Sequence, residues 1–295
     1  MKRVQVNVFT GGGSGGCPVQ VFICRDGMLP ASAGMIEAAG VGDCQETAFV
    51  TNDGGRIKIE SLNRDGHKAV PGNGPVAAFR ALIEEGLALP GEDYDAYVND
   101  FRTSVKTEKR FISMNMPQSR VLSMVKMKES IELIFRSLGA EYEPVSFMPA
   151  CGCFRNMEPM VVEAGEPVLI VPVNGRERLN RLEPNMALVA EICKGLKCAG
   201  IYAFAFETKD IGTMAHCRGF YPLEGIDESA SSPAGVAALS FYLNGFGLFP
   251  QGREAVFYQG ETMGACSKLI AFIKGKGASM EILVGGEACT ADSIS

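Results

Sequence analysis

The amino-acid sequence predicts an α/β (α+β) protein built from two related lobes. Strand patterns alternate with helix patterns along the 295 residues, a length that suits two domains of ordinary size. A helical segment that begins at Gly74 is echoed by a second that begins near Ala234. Thirty-five glycines and the lack of tryptophan point to many tight turns in a strand-rich fold.

The first half begins with strand patterns. Alternating valines predict a strand at residues 4–8, and a glycine loop at residues 11–16 separates it from a strand at residues 19–24. Pro30 is placed to start a helix that ends at Gly40. Further along, we predict strands at 46–51 and 56–61 joined by an Asn-Asp-Gly-Gly hairpin turn at 52–55, a helix at 74–85, a turn-rich stretch at 89–95, and strands at 97–103 and 110–116.

The second half repeats this mixture of elements. Its predicted helices are at residues 129–138, 179–196 and 234–243, and its predicted strands at 168–173, 201–207, 214–220, 269–273 and 280–284. We therefore expect an N-terminal lobe at residues 1–125 and a C-terminal lobe at 126–295, with the extreme C-terminus able to pack back on the first lobe.

The two echoed helices suggest a binding site. Residues 74–83 can be laid on residues 234–243, and each segment is a turn of small residues that enters a helix. Helix N-termini carry a partial positive charge and free N–H donors, so two such ends would grip a small acidic ligand. The turn residues are Gly72, Asn73 and Gly74 at one end and Ser231 and Ser232 at the other; ordinary N-caps would look the same.

Composition excludes several classes of protein. The net charge of −6 gives no basic face for nucleic acid, and no apolar stretch is long enough to span a bilayer. The N-terminus enters a strand pattern without the features of a signal peptide, so we expect a cytoplasmic protein.

The ten cysteines include no C-x-x-C pair, and Cys151 and Cys153 have the wrong spacing for a zinc knuckle. The sequence has two histidines. We therefore expect reduced thiols and no bound metal.

Short motifs keep one order over nearly the whole chain. ETAFV stands at residues 46–50, and a Gly-Asn-Gly turn follows at 72–74. The others are VNVFT at 6–10, GGCP at 15–18, RGFYP at 218–222, DESASSPA at 227–234, QG at 259–260, MG at 263–264 and VGG at 284–286. In type and order they resemble the motifs of the phenazine-biosynthesis PhzF-like isomerases.

This resemblance implies the diaminopimelate-epimerase-like fold, in which each of two lobes wraps a curved, barrel-like sheet around a central helix. It implies a homodimer that uses no metal or organic cofactor, takes part in a biosynthetic process and binds its small substrate between the lobes. The acid/base glutamate of the family falls on Glu46. A carboxyl group in a dry cleft has a raised pKa and can both take and return a proton.

Several positions depart from the family pattern. The family's histidine is Asn73 here, its aspartate is Glu228 or, with a one-residue shift, Asp227, and the arginine after MG is Ala265. Asparagine can hydrogen-bond a substrate but cannot transfer a proton at neutral pH. A catalytically degenerate member that binds a ligand or partner is therefore one alternative.

A thiol-dependent amino-acid racemase is the other alternative. Relatives of this kind carry a cysteine just before the Gly-Asn-Gly turn, where Pro71 stands here. Cys17, Cys44 and Cys217 are expected to be core thiols, although Cys44 and Cys217 could line the cleft. His67 and His216 receive no role from sequence alone.

The sequence thus predicts a cofactor-independent isomerase or epimerase that moves a carbon-bound proton on a small carboxylate metabolite. Glu46 is the expected acid/base. We expect Gly72, Asn73 and Gly74 to bind the substrate carboxylate or its enolate, and Glu228, Ser231 and Ser232 to complete the opposite wall.

Overall fold

Strands dominate the computed structural model, which describes residues 1–24, 28–41, 44–53, 56–69, 72–99, 101–147, 155–207, 212–250 and 252–290. The first half contains β1 (Lys2–Thr10), β2 (Cys17–Cys24), α1 (Ser32–Ala39), β3 (Glu46–Asp53), β4 (Arg56–Asn63), α2 (Gly74–Glu84), β5 (Asp93–Val98), β6 (Phe101–Thr107), β7 (Phe111–Asn115) and β8 (Arg120–Met124). The second half contains α3 (Lys128–Ser137), β9 (Val145–Phe147), β10 (Arg155–Met157), β11 (Met160–Glu163), β12 (Pro167–Pro172), α4 (Arg176–Asn180), α5 (Met186–Leu196), β13 (Gly200–Phe206), β14 (Thr213–Tyr221), β15 (Ile226–Ser229), α6 (Pro233–Gly245), β16 (Ala255–Gln259), β17 (Ser267–Lys274) and β18 (Glu281–Thr290).

A closed barrel of eight strands forms the first lobe. Strands β1 to β7 pair in chain order, and β18 lies between β7 and β1 to close the ring. Helix α2 runs through the inside, where small residues let the surrounding strands approach and large ones fill the remaining space. The small residues are Ala77, Ala78 and Ala81, and the large ones are Phe79 and Leu82.

The second lobe continues the same sheet from β18. Its strand order is β17, β16, β14, β13, β12, β11 and β8, with β15 paired to β14. Helix α6 packs on the inner face against β11, β12, β17 and β18, and nearly all of its residues are buried. The apolar faces of α3, α4 and α5 form a second core on the outer face of β12 and β13.

The predicted fold class is confirmed: strands and helices alternate, the first barrel encloses α2, and the second half of the sheet packs one face on the buried α6. The two echoed segments are α2 and α6. The pairing of β18 with β1 and β7 carries residues 281–290 into the first barrel. The division of the chain at residues 125 and 126 stays a prediction.

Three of the predicted elements differ from the structure. The stretch predicted as turn-rich at residues 89–95 already contains the first residues of β5 (Asp93–Val98). The predicted helix at 179–196 is two helices, because the chain leaves the helical path before Pro184 and α5 restarts with Asn185 as its N-cap. The predicted strand at 97–103 crosses a tight turn, where Asn99 has a φ of 51°, a conformation that asparagine tolerates.

Other differences concern short or irregular elements. Strands β8, β9, β10, β11, β15 and β16 were not predicted, because most of them are too short to show a clear alternation. The hairpin predicted at 52–55 is present, since Asp53 pairs with Arg56, but Gly54 and Gly55 lie outside the described residues. Cys151 and Cys153 also lie outside them.

Among the helices that are described, none is long and apolar enough to cross a membrane.

We expect Leu82→Ala to lower the free energy of unfolding by about 2–5 kcal/mol, because it opens a cavity inside the barrel. Leu82 is 0% exposed, whereas Leu89 is 62% exposed and offers a matched control. Leu89→Ala should change stability by no more than about 0.5 kcal/mol. Urea unfolding of both variants is the measurement, and equal losses in the two would contradict the buried position of α2.

Candidate active site

Strand β3 places Glu46 inside the first barrel. Side chains alternate along a strand, so Glu46 points to the same side as Ala48 and Val50, which belong to the barrel core. The strand begins at Glu46, directly opposite Asn63 of β4. Strand β3 does not extend back to Cys44, so the alternation of the strand does not direct that thiol into the barrel.

Three donors hold the buried Glu46 carboxylate at the start of α2. Its Oε1 accepts a hydrogen bond from the backbone N–H of Gly74 at 2.7 Å and another from the Ser61 hydroxyl. Its Oε2 accepts from the backbone N–H of Asn73 at 2.8 Å. The free N–H groups of the helix N-terminus therefore bind a side chain of the protein itself.

The Gly-Asn-Gly turn needs its glycines for this contact. A Cβ atom built on Gly72 would lie 2.5 Å from Oε2 of Glu46, and one on Gly74 would lie 2.7 Å from Oε1 and still closer to Ser61 Oγ. Neither residue has a positive φ. The glycines are required by the close approach of a carboxylate to the backbone and not by backbone conformation.

Burial raises the pKa of Glu46 above the ordinary carboxyl value, because the charged form loses its hydration. The hydrogen bonds from Ser61, Asn73 and Gly74 favour the charged form and work against this shift, and the nearby Glu224 adds to it. The carboxyl is therefore oriented, dry and more basic than an exposed glutamate, which suits a group that takes a proton and returns it.

Asn73 connects the two lobes. Its side-chain Oδ1 accepts a hydrogen bond of 2.8 Å from the Ser231 hydroxyl, and its Nδ2 lies 3.8 Å from the Cys17 sulfur. The start of α2 is thereby tied to the turn that precedes α6. One hydrogen of the Asn73 amide remains for another acceptor.

A buried glutamine fixes the turn before α6. Gln259 Nε2 donates to the Ser229 carbonyl at 2.8 Å, and its Oε1 accepts from the Ser232 N–H and the Tyr202 hydroxyl. Ser232 Oγ caps α6 by accepting from Gly235 N–H at 3.0 Å. Pro233 and Ala234 then begin the helix.

Glu228 lies outside this group of side chains. Its two oxygens accept from Arg218 at 2.9 and 2.8 Å, and Thr262 donates to one of them. Arg218 also donates to the carbonyls of Leu179 and Leu182. The structure therefore places Glu228 in a partly buried ion pair, while Asp227 beside it is exposed.

A cavity of about 60 Å³ lies between the lobes next to Glu46. Six of the seven predicted site residues are in contact with this cavity or hold Glu46 beside it, the exception being Glu228. Among the described residues that line the cavity there is no lysine, arginine, histidine or cysteine. Its lining is Gln45, Glu46, Asn63, Ala69, Gly72, Asn73, Glu166, Tyr221, Glu224, Ile226, Ser229, Ser231, Ser232, Pro233 and Ala234.

The sequence did not reveal Glu166 and Glu224 as members of this site. Glu166 lies in the turn between β11 and β12, and Glu224 ends the short 3₁₀ helix after β14. Both read as ordinary turn glutamates in the sequence. Ser61 and Gln259 were also missed as site residues, although Gln259 belongs to the QG motif.

The thiols near the site are poor bases. Burial raises the pKa of Cys17 to about 12, and it raises the pKa of Cys217 to about 12 as well, so both stay protonated at neutral pH. His216 is buried between Glu207 and Glu261, away from the cavity, and His67 is exposed. No group of three or more histidine, cysteine or acidic side chains among the described residues is arranged to hold a metal ion.

Comparison with known proteins identifies one family. The family model described as phenazine biosynthesis-like protein matches residues 6–293. An uncharacterized isomerase of Clostridium acetobutylicum is 30% identical over 89 residues, which is 30% of this chain and 30% of that relative. The chain thus aligns with less than a third of the length of this relative.

Solved structures share the fold over nearly the whole chain. A phenazine biosynthesis protein of the PhzF family from Bacillus anthracis has a TM-score of 0.79 at 19% identity and covers 98% of this chain and 97% of its own. A predicted epimerase from Pseudomonas aeruginosa has a TM-score of 0.78 at 17% identity, covering 98% and 96%. A hydroxyproline epimerase from Agrobacterium vitis, solved with bound trans-4-hydroxy-L-proline, has a TM-score of 0.63 at 12% identity, covering 98% and 88%.

We expect Gly74→Ala to destabilise the protein by about 1–3 kcal/mol, the usual cost of overpacking, because the new methyl group would displace Ser61 and Glu46. Gly34→Ala is the matched control. Gly34 lies within α1 with nothing within 4 Å of an added Cβ, so this change should stabilise by about 0.5–1 kcal/mol. Urea unfolding compares the two, and a Gly74→Ala variant as stable as the parent would show that Glu46 is not held as described.

Proposed function

The chain belongs to the phenazine biosynthesis-like protein family, and we propose that it is an isomerase that moves a carbon-bound proton on a small carboxylate metabolite, with Glu46 as the acid/base and without a cofactor. The family model confirms the membership inferred from the sequence motifs. The observation that carries the proposal is the buried Glu46 carboxylate, held by three donors at the wall of the cavity between the lobes.

The first step is proton removal from carbon by ionised Glu46. The N–H groups of Asn73 and Gly74 and the Ser61 hydroxyl fix the two carboxylate oxygens, so the carboxylate needs little reorientation during the reaction. The raised pKa brings Glu46 closer to the weak acidity of the carbon-bound proton. The same group can return the proton after the electrons have shifted.

The start of α6 is the proposed binding site for the substrate carboxylate. The corresponding end of α2 is occupied by Glu46, so its N–H groups are no longer available. Ser231, Ser232, Pro233 and Ala234 line the cavity at a place where the helix dipole favours negative charge. The N–H groups of Ser232 and Gly235 already donate within the protein, so we assign the backbone donor to Ala234. Asn73 can add the remaining hydrogen of its amide.

Glu228 takes a supporting role in this proposal. Its ion pair with Arg218 and the hydrogen bond from Gln45 Nε2 to its carbonyl fix the segment that leads to Ser231 and Ser232. We assign it to positioning of the substrate-binding turn. The protein is further proposed to act as a homodimer in the cytoplasm and in a biosynthetic process, as the family resemblance implies.

The two alternatives are weaker than the leading proposal. A thiol-dependent racemase would need a thiolate at the cavity, whereas the thiol of Cys17 is buried with a raised pKa and the described lining contains no cysteine. Alkylation by iodoacetamide should therefore leave activity in place. A degenerate binding protein is favoured by Asn73 and Ala265, whereas the retained Glu46 at the cavity wall, with its raised pKa, counts against it.

The experiment that tests the function is exchange of carbon-bound protons in heavy water. It detects deprotonation without knowledge of the product. The panel consists of the common L-amino acids, their D-enantiomers and the 4-hydroxyprolines, the last because one structural neighbour was solved with trans-4-hydroxy-L-proline bound, together with small hydroxy acids and unsaturated carboxylic acids.

We expect Glu46→Gln to reduce exchange by about 10²–10⁴-fold, the usual contribution of a positioned general base. Glutamine has nearly the same shape and cannot accept the proton. Glu163→Gln is the matched control, because Glu163 pairs with Arg120 at the protein surface and should keep full exchange. Exchange by the Glu46→Gln variant at the parental rate would remove Glu46 from the mechanism.

Exchange should also depend on pH in a defined direction. Glu46 must be ionised to act as a base, and its pKa lies above the ordinary carboxyl value. The rate is therefore expected to rise as the pH rises through the Glu46 pKa and to fall below it, with a midpoint above about 4.3, the value for an unperturbed glutamate. A rate profile whose acid limb is centred at or below that value would contradict the buried environment of the base.

A further inference from the structure

We propose that Glu166 and Glu224 form a second proton-transferring group, which holds one shared proton across the cavity from Glu46 and delivers it to the opposite face of the substrate. This inference rests on the proposed function of Glu46 as the base and changes one part of it: the proton is returned to carbon by a second group and not by Glu46, which makes the reaction a two-base isomerisation. It concerns residues outside the motifs that identified the family.

The two carboxyl groups reach the cavity from the second lobe. Glu166 follows β11 and Glu224 follows β14, whereas Glu46 belongs to β3 of the first lobe. Both line the same small cavity, and each lies close enough to the other to shift its pKa. Two neighbouring carboxylates repel each other, so one of the pair is favoured to keep its proton.

The lining of the cavity supports this arrangement. Among the described lining residues none carries a positive charge that would allow both carboxyls to ionise. Gln45 lines the same cavity. Its Nε2 donates to the Glu228 carbonyl, and its buried Oε1 accepts no hydrogen bond from the described residues. The Gln45 oxygen can therefore accept a hydrogen bond from a ligand. The lack of a cation in the described lining favours the singly protonated form of the carboxyl pair.

Groups from each neighbouring element act on the pair. Burial and the neighbouring Glu224 raise the pKa of Glu166 well above the ordinary value, and Glu46 of β3 adds to the shift. Burial also raises the pKa of Glu224, while the neighbouring Glu166 and the exposed His67 after β4 oppose this. The third neighbour is Tyr221 of β14, whose pKa is itself raised well above its ordinary value by burial, so it stays a neutral phenol.

The proton balance of the proposed step is complete. The substrate C–H bond breaks as Glu46 Oε2 or Oε1 gains a proton, and a new C–H bond forms on the other face as the carboxyl pair loses its proton. The pair is left with two negative charges in one cavity, which strongly favours protonation from water. Glu46 loses its proton to water in turn, and both groups are restored.

Substrate-free NMR tests the shared proton directly. In protein labelled with ¹³C at the glutamate side-chain carboxyls, we expect one carboxyl outside Glu46 to remain protonated at about pH 7, well above an ordinary glutamate pKa of about 4.3. The signal should disappear in Glu166→Gln and in Glu224→Gln and persist in Glu46→Gln. If all carboxyls other than Glu46 titrate in the ordinary range, the pair holds no proton and the proposal is wrong.

Exchange measurements test the role of the pair in turnover. With any acid that exchanges in the heavy-water panel, Glu166→Gln should lower conversion to product by about 10²-fold or more, while wash-out of the substrate proton by Glu46 stays within a few-fold of the parent. Glutamine can offer a hydrogen bond to Glu224 but cannot deliver a proton, so a purely structural role would leave conversion unchanged.

The two proposals fail in different ways. Unchanged conversion in Glu166→Gln and Glu224→Gln overturns the second group while Glu46 keeps its role. Absence of exchange across the whole panel counts against the proposed function, and the substrate-free titration still decides whether the pair holds a proton. Glu163→Gln serves again as the control, because Glu163 lies in the strand that precedes Glu166 and faces Arg120 at the surface.

Discussion

The contact between the Glu46 carboxylate and the start of α2 organises the site. A buried charge is costly unless it is hydrogen-bonded, and the N-terminus of a helix inside a closed barrel supplies oriented donors that lack a partner within the helix. The contact satisfies both partners at once. It also explains the glycines on either side of Asn73, because any larger residue would hold the carboxylate away from the backbone.

The second lobe meets this arrangement through a small set of polar side chains. Ser231 donates to the Asn73 side chain, and Gln259 holds the turn on which Ser231 lies. The hydrogen bond between the lobes is therefore supported from a central strand and not from a mobile surface loop. Binding groups for the substrate and the base that acts on it are thus placed by one continuous network.

Sequence reasoning recovered those parts of the site that local patterns encode. Periodicity predicted the strand at Glu46 and the two central helices, which share a recognisable start. Glu46 itself was singled out by the ETAFV motif and the family resemblance that the order of the motifs carries. Glu166 and Glu224 carry no such signal. They lie in turns far apart in the chain, and only the packing of β12 and β14 against β13 brings them to one cavity. The ion pair of Glu228 with Arg218 also depends on such non-local packing.

The closure of the first barrel by β18 sets an order for folding during synthesis. Residues 1–115 contain seven strands and the central helix of that barrel, but the eighth strand is made after almost the entire second lobe. Until then β1 and β7 present open edges, which are prone to pair with other chains. The N-terminal lobe therefore completes its fold last, and a ribosome that stalls before residue 281 leaves a barrel with a gap beside the helix that carries the Glu46 donors.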